Sequence, residues 1–228
     1  MARGKLTEHS LANKAWRDFR SFVDNNAAQN RLWRGVPSDS YNLRPSVYRI
    51  KNYNEDIEKD LFAEFRQRVR SFADVQTYDV WDILALAQHH GIPTRLLDWT
   101  YNPLVAAFFA AADQKNARGR ITSIIQPPTL DVYGNNFPDP FKINKVLLFS
   151  PSAVSKRIVS QRGVFTVHPY QTNAWTPPKN LGRISFDIEG KHKHVFLSKL
   201  ALLGVDEAFI FADIDGLCRS IRGLGVLR

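Results

Sequence analysis

Apolar positions in the first half of the chain recur with a helical period. Residues 55–72 carry the clearest apolar stripe, and acidic residues crowd the first turn, where the helix dipole favours negative charge. Residues 8–24 show a similar stripe with basic residues between the apolar ones. The pattern predicts a helix over each segment, the second of them an amphipathic surface helix.

Two further helices are predicted from their end signals. Asp79 is a good N-cap for a helix that should end before Gly91 and Pro93. Asn102 followed by Pro103 is the preferred order for starting a helix, and residues 104–112 are apolar on all sides. We therefore expect the second of these helices to be buried.

After about residue 120 the pattern changes to runs of Ile, Val, Phe and Thr separated by Pro, Gly and Asn, which favours strands. An exposed loop with four prolines is expected over residues 127–141. The predicted strands are 31–36, 94–99, 120–126, 145–150, 158–167, 183–188 and 208–211, and late helices are predicted over 191–203 and 217–221.

The order of these elements predicts an α+β fold. Helices of the N-terminal half should pack on a mixed, mostly antiparallel sheet from the C-terminal half. The chain has 228 residues, of which 44% are hydrophobic, enough for one sizeable core. We expect a single domain over residues 1–228, with the motif-bearing core at about 30–221.

Composition excludes several classes of protein. Cys218 is the only cysteine, so an intramolecular disulfide is impossible, which fits a reducing compartment. The longest apolar stretch, residues 104–112, is far shorter than a membrane span, and the N-terminal sequence lacks the apolar core of a secretory signal. We therefore expect a soluble, cytoplasmic protein without a membrane partner.

The chain is basic, with a formal charge of +9. Residues 1–141 hold 18 basic and 16 acidic residues, a balance of +2, whereas residues 142–228 hold 13 and 6, a balance of +7. A positive surface field attracts anions, so phosphate-bearing partners are expected, either a nucleotide or a nucleic acid.

The densest polar segment is QHHGIPTRLLDWT, residues 88–100, which lies between two apolar helices. A connection between helices needs little more than Gly and Pro, so the many hydrogen-bonding side chains indicate a site. The alternative is a buried network in which Arg95 pairs with Asp98 and the histidines cap the preceding helix. The candidates from this segment are Gln88, His89, His90, Thr94, Arg95, Asp98 and Thr100.

Trp33-Arg34-Gly35 is the second candidate. An arginine within a short apolar strand, followed by glycine, presents a guanidinium beside open backbone and suits bidentate binding of a pyrophosphate or carboxylate. The alternative is an internal salt bridge between Arg34 and Asp98.

Several motifs in order resemble the FRG domain family. They are WRG at 33–35, LRPS at 43–46, QHHGIPTRLLDWT with Asn102-Pro103, RIVSQRGVF at 157–165 and FADIDGL at 211–217. Trp33 replaces the phenylalanine of the family signature, and Ala212 stands where proline is usual. The resemblance implies a bacterial or phage protein of a family without a settled biochemical activity.

A partial resemblance to ADP-ribosyltransferases of the Arg-Ser-Glu type involves Arg34-Gly35, then Asp98-Trp99-Thr100 before the apolar helix, then residues 161–165. It implies an ADP-ribosyltransferase-like fold and NAD as a substrate, whose phosphates Arg34 would hold. Gly163 stands where the catalytic glutamate belongs, so another acid such as Asp98 or Glu207 would have to supply the charge that stabilises the oxocarbenium ion.

The leading hypothesis is a polar cavity for a nucleotide or other anionic ligand. Its candidate catalytic residues are His89, Asp98 and Gln161, and its candidate ligand-binding residues are Arg34, Gly35, Gln88, His90, Thr94, Arg95 and Thr100. A nucleic-acid binding or processing module and a non-catalytic interaction domain are the alternatives. No metal site is predicted, because His192, His194, Asp213 and Asp215 read better as solvated histidines and helix N-caps.

Overall fold

The computed structural model describes residues 7–27, 30–131, 138–152, 156–171 and 173–226. The helices in this part of the chain are α1 (Glu8–Asn26), α2 (Glu55–Arg68), α3 (Val80–His89), α4 (Pro103–Ala111), α5 (Lys156–Ser160), α6 (Lys193–Leu202), α7 (Glu207–Phe211) and α8 (Ile214–Val226). None of them is long and apolar enough to cross a membrane.

The strands form one six-stranded sheet with the order β4-β5-β2-β1-β3-β6. They are β1 (Arg31–Val36), β2 (Leu96–Thr100), β3 (Gly119–Ile125), β4 (Leu147–Phe149), β5 (Gly163–Val167) and β6 (Ile184–Ile188). Each pair of neighbouring strands is antiparallel. The predicted α+β class is confirmed, although the two central strands, β1 and β2, come from the N-terminal half.

The two central strands, β1 and β2, pair with each other over a much shorter stretch than with their outer neighbours. β1 pairs along its whole length with β3, and β2 pairs along its whole length with β5. Between β1 and β2, the described register contains the single pair Trp33 and Thr100. The sheet therefore consists of two three-stranded halves that meet at one point, which leaves a gap beyond Arg34.

Two groups of helices cover the same face of the sheet. Trp33 packs into a core with α1, α4 and α6, whereas Leu96 packs into a core with α2 and α3. Trp33 and Thr100 are paired, and Leu96 is four residues before Thr100, so all three point to one face. The gap between the strands thus lies between the two helix groups.

Close approach of α4 to the sheet depends on two glycines. A Cβ at Gly35 would lie 1.8 Å from the carbonyl oxygen of Ala106, and one at Gly119 would lie 2.0 Å from that of Ala110. The alanines are four residues apart and so share one face of α4. Gly35 therefore sets the distance between β1 and α4, a packing role in addition to its place at the candidate site.

The structure corrects two predicted strands. Residues 158–160 belong to α5, and Arg162 has a φ of 49°, so β5 begins only at Gly163. Residues 208–211 belong to α7 because the Asp206 side chain caps this helix by accepting a hydrogen bond from the amide of Phe209. A short apolar run is compatible with either a strand or a helix, and here the N-cap at Asp206 favours the helix.

The predicted loop over residues 127–141 is more ordered than expected where it is described. Leu130 is buried, and Thr129 makes an isolated bridge to Leu148 of β4. A short 3-10 helix, Pro140–Lys142, has Asp139 as its N-cap. Residues 132–137 of this predicted loop lie outside the described residues.

Candidate functional site

A cavity of about 720 Å³ opens where β1 and β2 separate. Elements from both halves of the sheet form its walls, together with α3, α4, α5 and the segment between β1 and α2. The polar and charged residues that line it are Arg34, Ser40, Tyr41, Asn42, Arg44, Arg49, Gln88, His89, Asp98, Thr100, Arg157 and Gln161, and Gly35 also lies in its wall.

Arg34 spans the gap between the two central strands. Its Nη1 donates a hydrogen bond of 2.7 Å to the backbone carbonyl of Asp98 and lies 3.4 Å from a carboxylate oxygen of the same residue. The Arg34 side chain is 15% exposed and that of Asp98 is 58% exposed. The predicted alternative of an internal contact between them is thus present, while both side chains still face the cavity.

A chain of hydrogen bonds orients the Asp98 carboxylate. The amide nitrogen of Gln88 donates to both carboxylate oxygens of Asp98, at 3.2 and 3.1 Å. The hydroxyl of buried Thr94 donates to the amide oxygen of Gln88 at 2.7 Å and so fixes the orientation of the amide. Thr94 therefore acts on the cavity through Gln88 and does not line it.

Three arginines of the cavity were not among the predicted site residues: Arg44, Arg49 and Arg157. A sequence signal existed for Arg44, which lies in the LRPS motif, and for Arg157, which begins the RIVSQRGVF motif. Partial burial, followed by repulsion from Arg34, lowers the pKa of Arg49, and Arg44 adds to the same repulsion. Three guanidinium groups are therefore concentrated around one end of the cavity.

Two of these guanidinium groups have buried nitrogens that lack partners. Among the described residues, the Nε atoms of Arg34 and Arg44 make no hydrogen bond. A buried donor without an acceptor is unfavourable by about 1–3 kcal/mol, and more when it is charged. Both donors belong to residues that line the cavity, where an anionic ligand could satisfy them.

Arg157 forms a second positive wall. Its guanidinium carbon lies 5.0 Å from the centre of the Phe211 ring, which anchors α5 to α7. Burial lowers the pKa of Arg157, while Asp98 and Asp213 raise it. Burial likewise lowers the pKa of His89, with further contributions from His90 and Arg157, so this imidazole is neutral near pH 7.

Hydrogen bonds of Thr100 and Gln161 connect β2, at the cavity, to α7. The Thr100 hydroxyl donates to the backbone carbonyl of Gln161 and accepts from the amide of Asn102. The Gln161 side chain donates to the carbonyl of Ile210 at 2.9 Å. The hydroxyl is thus used inside the protein, and the Gln161 side chain faces the cavity while its nitrogen is held by α7.

Arg95 lies outside the cavity, in a buried ion pair with Glu58. Its Nη2 is 2.7 Å from a Glu58 oxygen, Nε donates to the other oxygen at 3.0 Å, and Nη1 donates to the Pro140 carbonyl. The predicted pairing of Arg95 with Asp98 is wrong. Residues three apart in an extended segment point to opposite faces, so these two cannot meet.

The two histidines of the polar segment differ in position. His89 lines the cavity, whereas His90 is exposed and does not, although their rings touch edge to face with centroids 4.7 Å apart.

The Asp213 carboxylate accepts a hydrogen bond from the amide of Gly216 at 2.6 Å, which is the predicted N-cap contact. No cluster of three His, Cys, Asp or Glu side chains suited to a metal ion occurs in the described part of the chain.

Comparison with known proteins gives one match. The sequence model of the FRG domain matches residues 29–119, which include β1, α2, α3, β2 and α4 and most of the cavity lining. No curated protein and no solved structure matches the chain. Residues 29–119 of the chain therefore carry an FRG domain.

Proposed function

We propose that the cavity binds a phosphate-bearing small molecule, and that a nucleotide of the NAD or ADP-ribose type is its ligand. The observation that carries the proposal is the charge of the lining: four arginines, Arg34, Arg44, Arg49 and Arg157, against the carboxylate of Asp98. Guanidinium groups bind phosphate oxygens in bidentate geometry through charge-assisted hydrogen bonds, which are stronger than hydrogen bonds between neutral groups.

The size and polarity of the cavity support the same proposal. Small-molecule sites usually have volumes of roughly 300–1,000 Å³, and the volume here is about 720 Å³. Trp33, Trp99 and Phe109 supply apolar wall beside the arginines. A ligand with an aromatic ring and one or more phosphates would match both parts of this lining.

A transfer reaction is the finer part of the proposal. Cleavage of the bond between nicotinamide and ribose develops positive charge on the ribose, which a nearby carboxylate stabilises. Gly163 cannot supply this group, whereas Asp98 is held by Gln88 and Arg34 with its carboxylate exposed to the cavity. Asp98 is therefore the proposed stabilising carboxylate. Nicotinamide leaves with the electron pair of the broken bond, a protic nucleophile such as water bonds to the ribose carbon, and neutral His89 is the proposed acceptor of its proton.

Calorimetric titration of the purified protein with NAD and with ADP-ribose tests the binding proposal. The Arg49 side chain is exposed and makes no hydrogen bond or ion pair in the described part of the chain, so Arg49→Gln should weaken binding roughly tenfold or more without altering the fold. Lys51→Gln removes an exposed charge from the same segment outside the cavity and is the matched control.

The outcomes separate the levels of the proposal. Heat with ADP-ribose that disappears in Arg34→Ala and Arg49→Gln, but persists in Lys51→Gln, supports a nucleotide site. Absence of heat from both ligands in the unaltered protein ends the NAD version. Equal loss in Arg49→Gln and Lys51→Gln would indicate attraction by overall charge and would contradict a specific site.

A further inference from the structure

A second basic surface lies at the end of α2, away from the cavity. Arg66 lies in the last turn of α2, and Arg70 lies in the 3-10 turn Val69–Ser71 that follows it. Both arginines line two surface hollows, of about 640 and 790 Å³, so they stand between these hollows. We call this pair the arginine ridge.

The arginine ridge forms no ion pair within the described part of the chain. Neither Arg66 nor Arg70 makes an ion pair or a side-chain hydrogen bond with any described residue. Arg68, on the same helix, differs because it donates to Glu64 at 3.1 Å. In the hollow of about 790 Å³, the Asp74 carboxylate accepts a hydrogen bond from the amide of Gln76 and is not within ion-pair distance of the ridge.

An exposed aromatic ring stands beside the ridge. Phe72 follows the 3-10 turn Val69–Ser71 and is 83% exposed, and it lines the same hollow as the arginine ridge and Tyr78. A single exposed apolar side chain is ordinary by itself. Beside two unpaired guanidinium groups, however, the ring is placed as a stacking surface next to two phosphate-binding groups.

We propose that the arginine ridge and Phe72 bind single-stranded nucleic acid. Proteins that bind single strands combine cationic groups along the backbone with aromatic rings on which bases stack. An acidic peptide would satisfy the arginines equally, but it would leave the Phe72 ring in water. The net charge of +9 would also speed the approach of a polyanion.

The test measures fluorescence anisotropy of a labelled single-stranded oligothymidylate of roughly a dozen nucleotides, which covers a typical site. Phe72→Ala should weaken binding roughly five- to a hundredfold without changing its salt dependence. Arg66→Gln and Arg70→Gln should each reduce the slope of log affinity against log salt by about 0.7, because each removes one phosphate contact.

Two matched variants keep the proposal falsifiable. Arg68→Gln removes the same charge from the same helix at a residue already paired with Glu64, and it should leave binding almost unchanged. Arg49→Gln in the cavity should also have no effect, which separates this proposal from the nucleotide site. The side chains changed in these variants are all exposed, so thermal unfolding should confirm that each variant is folded. They are those of Arg49, Arg66, Arg68, Arg70 and Phe72.

Three results would overturn the proposal. The first is absence of oligothymidylate binding at low salt, and the second is an equal loss in Arg66→Gln and Arg68→Gln. The third is equally tight binding of a polyglutamate peptide that does not respond to Phe72→Ala, which would assign the ridge to acidic polypeptides instead.

Discussion

The buried pair of Arg95 and Glu58 makes the sharpest prediction about stability. The Arg95 side chain is 0% exposed and that of Glu58 is 1% exposed. Glu58 accepts two side-chain hydrogen bonds and one backbone hydrogen bond from Arg95, and a fourth from the Tyr53 hydroxyl. Glu58→Leu would leave the buried guanidinium without its hydrogen-bonded carboxylate, with the Pro140 carbonyl as an acceptor and the Glu55 carboxylate 3.9 Å away.

The expected cost is large on the scale of a whole domain. Removing one partner of a buried ion pair destabilises a protein by about 3–5 kcal/mol, compared with a total stability of about 5–15 kcal/mol. Glu58→Leu and Arg95→Met should each lower the free energy of unfolding by this amount. The double variant should recover most of the loss, because neither charge is then left unpaired.

Urea unfolding followed by tryptophan fluorescence measures these changes. Each single variant should shift the midpoint strongly while binding of ADP-ribose to the folded fraction stays unchanged, because Arg95 lies outside the cavity. A loss below about 1 kcal/mol in both single variants would refute the reasoning, since it lies well under the range of about 3–5 kcal/mol for breaking a buried ion pair. Loss of ligand binding with unchanged stability would instead indicate that Arg95 takes part in ligand binding.

Three further predictions concern packing, the site and pH. Gly35→Ala places a Cβ against the backbone of α4 and should destabilise the protein by at least about 2 kcal/mol in urea unfolding, and an unchanged midpoint would contradict the close approach. Asp98→Asn should change stability by less than about 0.5 kcal/mol, because its side chain is 58% exposed, yet it should reduce NAD turnover without weakening ADP-ribose binding; unfolding would instead favour a structural network. Burial, with a contribution from Arg34, lowers the pKa of His168 from 6.5 to about 3. Between these two pH values His168 is protonated in the unfolded chain but neutral in the native state. The free energy of unfolding should therefore fall as pH drops from about 6.5 towards 3. His168→Gln should flatten this pH dependence, whereas exposed His194→Gln should leave it as it is.

The sequence predicted those elements whose signals are local. The N-cap of α3, the Asn-Pro start of α4 and the apolar stripe of α2 each lie within a few residues of the helix they define. The strand β1 was predicted with its observed ends for the same reason. The short apolar run of α7 has no such periodicity, and its structure depends on the cap at Asp206.

The site could be predicted in part for a related reason. Arg34, Gln88 and Asp98 stood out because polar residues are unusual within apolar segments. Arg49 was missed because nothing in its own surroundings distinguishes it from a surface arginine, and Arg157 was missed although it begins the RIVSQRGVF motif. Only the tertiary fold brings both side chains to the cavity. The true partner of Arg95 lies 37 residues away, beyond the reach of any local pattern.

The most direct measurement of the central claim observes the arginine Nε–H groups by nuclear magnetic resonance during titration with ADP-ribose. If the cavity binds phosphate, the Nε–H signals of Arg34 and Arg44 should shift and saturate together, because both donors gain an acceptor. The Arg68 signal should stay in place, since this side chain is paired with Glu64 on the surface. Signals from Arg34 and Arg44 that stay unchanged at saturating ligand would contradict the account.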